Sequence, residues 1–94
     1  MEYFKVSWLH QFDDEPVLLY SEIDAQRFES RKIEIYPDGS FGIANSQFNF
    51  GGTCLSDHVM PMMEEINSDD QVIPEHISRE EFEMIWNEYY YFLA

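Results

Sequence analysis

Basic residues are scarce in this 94-residue sequence: five Lys and Arg stand against nineteen Asp and Glu, a formal charge of −14. Such a field repels nucleic-acid phosphates and anionic lipid, so direct binding to either is excluded as the main activity. Cysteine is nearly absent. The single Cys54 rules out an internal disulfide and suits a reducing compartment. No run approaches the roughly 20 apolar residues of a membrane span. The opening Met1-Glu2-Tyr3-Phe4-Lys5 lacks the basic-then-apolar order of a secretory leader. A cytoplasmic protein without membrane attachment is expected. There is no Gly/Ser linker, no low-complexity tract and no internal repeat.

What is present is apolar and aromatic. Hydrophobic residues make up 45% and aromatics 17% of the chain, too rich for disorder. The length fits one domain over residues 1–94. Such a domain buries about 60–70% of its unfolded surface, leaving little room to enclose a large cofactor. No cofactor is expected.

Alternation and turn chemistry order the first half. Tyr3 to His10 reads as a strand with Phe4, Val6 and Trp8 on one face. Gln11 to Pro16 is an acidic loop, because Asp13-Asp14-Glu15 cannot be buried unpaired and Pro16 lacks a ladder donor. Val17 to Ile23 is a second strand. Arg27 to Tyr36 alternates as a third, placing Glu29, Arg31, Ile33 and Ile35 on one side. Pro37-Asp38-Gly39-Ser40 has the residues of a tight turn, and Phe41 to Ala44 returns as a fourth strand. Asn45 to His58 reads as a loop, with Phe48 and Phe50 as pins to the core.

Helical signals fill the rest. Met60 to Asn67 predicts a short helix with Pro61 in its first turn, ended by Ser68-Asp69-Asp70. Val72 to His76, interrupted by Pro74, reads as a connector. Ser78-Arg79-Glu80-Glu81 matches a capping box, with Ile77 and Phe82 spaced as a hydrophobic staple. Phe82, Ile85, Trp86, Tyr89 and Leu93 continue one apolar face. The expected architecture is α+β: an antiparallel sheet of about four strands, with a short helix and a C-terminal helix packed on one face.

Catalytic patterns are sparse, and no enzyme activity is expected. His10, His58 and His76 fall on three elements without metal-ligand spacing. Ser56-Asp57-His58 holds three triad residue types, but adjacent loop residues rarely face one another. Asp13-Asp14-Glu15 and Asp69-Asp70 lack the alternating ligands and glycine of a calcium loop. Gly51-Gly52-Thr53 lacks the lysine of a phosphate loop. The most enzyme-like set is Arg27, Glu29 and Arg31, two apart along one strand, with Glu34 and His10 as further members. It fits an ion-pair ladder, or alternatively a site for a small anionic ligand.

Charge and aromatics point instead to interaction. From Asp57 onward ten acids meet one basic residue, Arg79. The run Tyr89-Tyr90-Tyr91-Phe92 cannot turn every ring inward, since helical neighbours point about 100° apart. With Tyr89 facing the core, Tyr91 points out and Tyr90 lies at the boundary. An exposed tyrosine is large, rigid and able to hydrogen-bond.

The segments Tyr3-x-Lys5-Val6-x-Trp8-x-His10, Asp14-Glu15-Pro16-Val17-x-Leu19-Tyr20-Ser21-Glu22-Ile23-Asp24 and Arg27-x-Glu29-x-Arg31-Lys32-Ile33-Glu34-Ile35, followed by Asp38-Gly39, resemble a bacterial family of small acidic domains of unknown function. Gly51-Gly52-Thr53, Glu64-Glu65-Ile66 and Glu81-Phe82-Glu83-x-x-Trp86 extend the likeness over nearly the whole chain. The resemblance implies no catalytic residue. By analogy of size, charge and class, small acidic domains of this kind resemble the immunity proteins of bacterial toxin systems.

The functional expectation is therefore an immunity protein that occludes a basic toxin domain of nuclease type in a stoichiometric complex. Its expected contacts are Asp13, Asp14, Glu15, Glu64, Glu65, Asp69, Asp70, Tyr90 and Tyr91. The alternatives are a DNA-mimic inhibitor, and a small enzyme or anion-binding domain built on Arg27, Glu29 and Arg31.

Overall fold

A computed structural model describes residues 1–66 and 70–93. Its elements are β1 (Glu2–Trp8), β2 (Leu18–Ile23), β3 (Glu29–Ile35), β4 (Phe41–Asn45), β5 (Asn49–Phe50), α1 (Met63–Ile66), β6 (Val72–His76) and α2 (Arg79–Tyr90), followed by a 3₁₀ turn at Tyr91–Leu93. The class is α+β, as the patterning requires. The sheet, however, has six strands rather than four, in the order β5-β4-β3-β2-β1-β6 with every pair antiparallel.

Both additional strands lie at the sheet edges, where sequence signals are weakest. Asn45 makes β5: its Oδ1 accepts from the N–H groups of Gln47 and Phe48 at 2.8 and 3.0 Å, folding the chain back on β4. In β6, Pro74 lies opposite Val6 of β1. A proline costs a ladder donor, which an edge strand tolerates and an interior strand does not. Leu9 N–H to Gln71 O at 2.7 Å and Ile77 N–H to Tyr3 O at 3.0 Å clamp the two ends of this pair.

A bulge in β3 corrects the expected strand face. Glu22 is opposite Arg31 but Ile23 is opposite Glu29, so Ser30 is an extra residue. Glu29 is thereby turned to the face opposite Arg31. Arg27 lies outside β3 altogether, in a turn where its φ is +73°. The Oδ1 of Asp24 holds that turn, accepting from the N–H groups of Gln26 and Phe28 at 2.9 and 3.0 Å. The turn at residues 37–40 forms as expected, with Gly39 at φ +87°.

α2 covers one face of the sheet. Ser78 adopts an extended conformation (φ −77°, ψ 160°) and its Oγ accepts from Glu81 N–H at 3.1 Å. Phe82 and Trp86 are buried against Tyr3, Tyr20, Ile33 and Ile43, with Ile77, Ile85 and Tyr89 around them. Each fully buried side chain of this size contributes about 1.5–3 kcal/mol.

The other face, carrying Phe4, Ile23 and Ala44, is crossed by residues 51–62. Thr53, fully buried, donates its hydroxyl to Glu34 Oε1 at 2.6 Å. Ser56 N–H donates to Glu29 Oε1 at 2.7 Å, and Met60 N–H to Arg27 O at 2.7 Å. Gly42 permits this approach, since a Cβ there would lie 2.9 Å from Phe50 O and against Thr53. α1 begins at Met63, later than expected, because the carbonyls of Met60 and Pro61 are held by Arg27. The expected helix end at Asn67, Ser68 and Asp69 lies outside the described residues.

Candidate interaction surface

The expected acidic contacts divide among separate regions. Asp13, Asp14 and Glu15 are exposed in the loop joining β1 to β2. Asp70, also exposed, precedes Gln71, whose carbonyl accepts from Leu9 N–H at the start of that loop. Glu15 is near enough to Tyr36 that, after burial and Glu34, its charge helps raise the phenol's pKa. Glu64 and Glu65 lie exposed on α1, and Glu65 borders a hollow with Arg27 toward the other end of the sheet. Asp69 lies outside the described residues.

The loop also carries exposed apolar side chains that charge patterning did not reveal. A hollow of about 550 Å³ is lined by Leu9, His10, Gln11, Phe12 and Gln71. Leu9 is 54% and Phe12 61% exposed. His10 shapes the loop: its Nε2 lies 2.8 Å from Pro16 O, and its Nδ1 accepts from Phe12 N–H at 3.0 Å. One neutral tautomer, protonated at Nε2, satisfies both bonds. The His10 ring contacts Trp8 and Phe12, with centroids 4.4 and 5.5 Å away.

A second apolar surface lies toward the opposite edge, at β5. Tyr89 is half-buried, Tyr90 is 42% exposed and Tyr91 73%. That gradient follows the helical rotation. Phe48, Asn49, Phe50, Tyr90 and Leu93 line a groove of about 410 Å³. Phe50 and Phe92 flank Phe41, with centroids 5.4 and 6.0 Å away. The sequence marks Phe48 and Phe50 as pins; that they also form an open groove depends on the β4–β5 pairing.

Arg27, Glu29 and Arg31 are not brought together. Arg27 reaches Met60 O at 3.2 Å, Pro61 O at 2.8 Å and Glu2 at 3.0 Å, tying the crossing segment to the sheet. Glu29 accepts from Ser21 at 3.4 Å, and Lys32 Nζ is 3.6 Å from it. Arg31 lies under α2, bound bidentately by Glu22 at 2.9 and 2.6 Å and paired on its other side with Glu83. Its guanidinium lies 4.9 Å from the Phe82 ring centroid and 5.2 Å from that of Trp86. The hydrogen bonds from Arg31 hold the Glu22 carboxyl at about 2, against the opposing effect of burial. Glu83 is lowered by the same partner. The Glu22 carboxylate in turn keeps Arg31 protonated above its usual range. These arginines are structural ties with their donors engaged, and Glu29 works on the other face.

The remaining chemistry-bearing motifs are open and mutually unsuited. Ser56 Oγ is bonded to backbone atoms of His58, not to its ring, and His58 and Asp57 project into solvent. Among the described residues, no three His, Cys, Asp or Glu side chains are grouped to hold a metal ion. No helix among them is long and apolar enough to cross a membrane.

A family model described as a domain of unknown function (DUF6881) matches residues 2–91. No curated protein and no solved structure matches the chain.

Proposed function

The chain belongs to the DUF6881 family, a domain of unknown function, and from that premise we propose that it is an immunity-type inhibitor of a basic partner protein. The partner is a toxin domain of the nuclease class, and the mechanism is stoichiometric occlusion of its cationic surface. The observation that carries this reading is exposed acid next to exposed apolar side chains: Asp13, Asp14 and Glu15 directly follow Leu9 and Phe12 in one loop, and Gln71, the neighbour of Asp70, lines the same hollow. Carboxylates alone serve solubility. Carboxylates that neighbour exposed Leu9 and Phe12 combine the two ingredients of a protein interface, whose centre is desolvated and whose edge is polar.

A standard interface takes about 800 Å² from each partner, and the chain exposes 6010 Å². Rim acids would set the association rate, through a field that salt screens; buried rings would set dissociation. Arg27, Arg31 and Lys32 each pair with a carboxylate of the chain, so the outward negative field comes from the remaining acids.

The test is affinity capture from the native host at low and at high salt, followed by reconstitution with the purified captured protein. Support requires a 1:1 complex with one basic protein, loss of that protein's toxicity when the two are co-produced, and an association rate that falls with salt. Alanine at Asp13, Asp14, Glu15 or Asp70 should slow association; alanine at Tyr90 or Tyr91 should speed dissociation. Unchanged affinity after alanine substitution at each of the nine expected contacts removes the assigned surface. Failure to capture any stoichiometric basic protein removes the inhibitor reading itself.

A further inference from the structure

We infer that the groove at the β5 edge is an arginine pocket, receiving a guanidinium from a basic partner segment against Tyr90 and Phe50; this rests on the reading of the protein as a binder of a basic partner. Helical spacing places Phe82, Trp86 and Tyr90 in one row along α2. Their rings follow one another at 6.4 and 6.2 Å between centroids, with interplanar angles of 15° and 23°. The first two rings already hold a guanidinium, that of Arg31. Among the described residues no cation lies over the third. Tyr90 instead opens into the groove with Phe48, Asn49, Phe50 and Leu93.

The groove walls suit a planar cation. Phe48 contributes a ring 6.0 Å from Tyr90, and Phe50 is 44% exposed. Asn49 Nδ2 donates to Cys54 Sγ at 3.5 Å, which leaves its carbonyl oxygen as an acceptor. A guanidinium is flat and weakly hydrated, so it stacks on such rings where a compact ammonium stays in water. Charge selects the occupant. A second copy would bring −14 against −14, whereas a basic segment is drawn in by the same field.

The test uses the full chain, ¹⁵N-labelled and titrated with hexa-arginine and hexa-lysine at matched ionic strength. Hexa-arginine should bind about threefold or more tightly than hexa-lysine, with amide shifts at residues 48–50 and 90–93. Tyr90→Leu should remove the arginine preference, bringing hexa-arginine to the affinity of hexa-lysine; Phe50→Leu is a second probe on a separate element, should Tyr90→Leu fail to fold. Equal affinity for both peptides, with shifts confined to residues 12–15 and 70–71, overturns the arginine pocket and leaves the basic-partner reading intact. A preference that survives in both variants overturns it as well. No binding of either peptide at low salt overturns both.

Discussion

Replacing Glu22 with Gln tests whether the ion cluster under α2 holds the fold together. The Glu22 side chain is only 9% exposed and accepts from Arg31 Nε, Arg31 Nη2 and Ser30 Oγ at 2.9, 2.6 and 2.7 Å. Glutamine keeps the shape but removes the charge and turns a donor toward a guanidinium that can only donate. Two routes give the magnitude. The carboxyl's fall from 4.5 to about 2 on folding corresponds to about 3 kcal/mol. Breaking a buried pair by removing one partner costs about 3–5 kcal/mol, here at the low end because Glu83 still binds Arg31. For a domain whose whole stability is on the order of 5–15 kcal/mol, that is a large share.

The sign with pH follows from the depressed pKa. As pH falls, the unfolded chain takes up the Glu22 proton first, near its ordinary value of 4.5, while the folded protein resists until about 2. The contribution is therefore complete above that ordinary value and is lost as pH falls through the window toward 2. Urea unfolding of both proteins, followed by tryptophan fluorescence, measures it, since Trp86 lies over Arg31. The difference between the two proteins should be about 3 kcal/mol at pH 7 and shrink toward zero near pH 2. Taking the difference cancels the relief of self-repulsion that acid brings to both. A gap under about 0.5 kcal/mol at pH 7, as for an exposed pair, or a gap that stays constant with pH, refutes the argument.

Two further substitutions test how the sheet faces are covered. Gly42→Ala puts a Cβ against Thr53 and Phe50 O, so chemical denaturation should show a loss of about 1–3 kcal/mol, with hydrogen exchange speeding first in residues 51–62. Ser78→Ala removes the acceptor for Glu81 N–H and should cost about 1 kcal/mol by the same denaturation measurement; an unchanged midpoint would mean that water replaces the cap.

The local signals that proved legible were those with a strong cause in consecutive residues. Gly39 after Asp38 forms the β3–β4 turn, Ser78 and Glu81 open α2, and Phe82 and Trp86 mark its buried face. Edge strands were not legible. Two-residue β5 is too short for alternation to register, and Pro74 in β6 argues for a connector unless the strand is known to lie at an edge. Nor was the bulge at Ser30, which depends on the pairing of β3 with β2 and reverses the side on which Glu29 emerges. The tyrosine run announced exposed rings, but the hollow at Leu9 and Phe12 carried no periodic signal.

By itself, the sequence determined the net charge, the α+β class, the helix with its cap, and the presence of more aromatic residues than one core face can hide. Each is a property of composition or of neighbours within a few positions, where propensity and hydrogen bonding act. Tertiary structure decided which charges are available. Arg27 and Arg31 resemble a ligand site when written two turns of a pleat apart, yet one ties Met60 and Pro61 to the sheet and the other is enclosed by Glu22 and Glu83. Tertiary structure also joined Gln71, next to Asp70, to Leu9 and opened the groove beside Tyr90. Partners such as Arg31 and Glu83 lie 52 residues apart in the chain; a contact at that separation exists only once the sheet and α2 have packed.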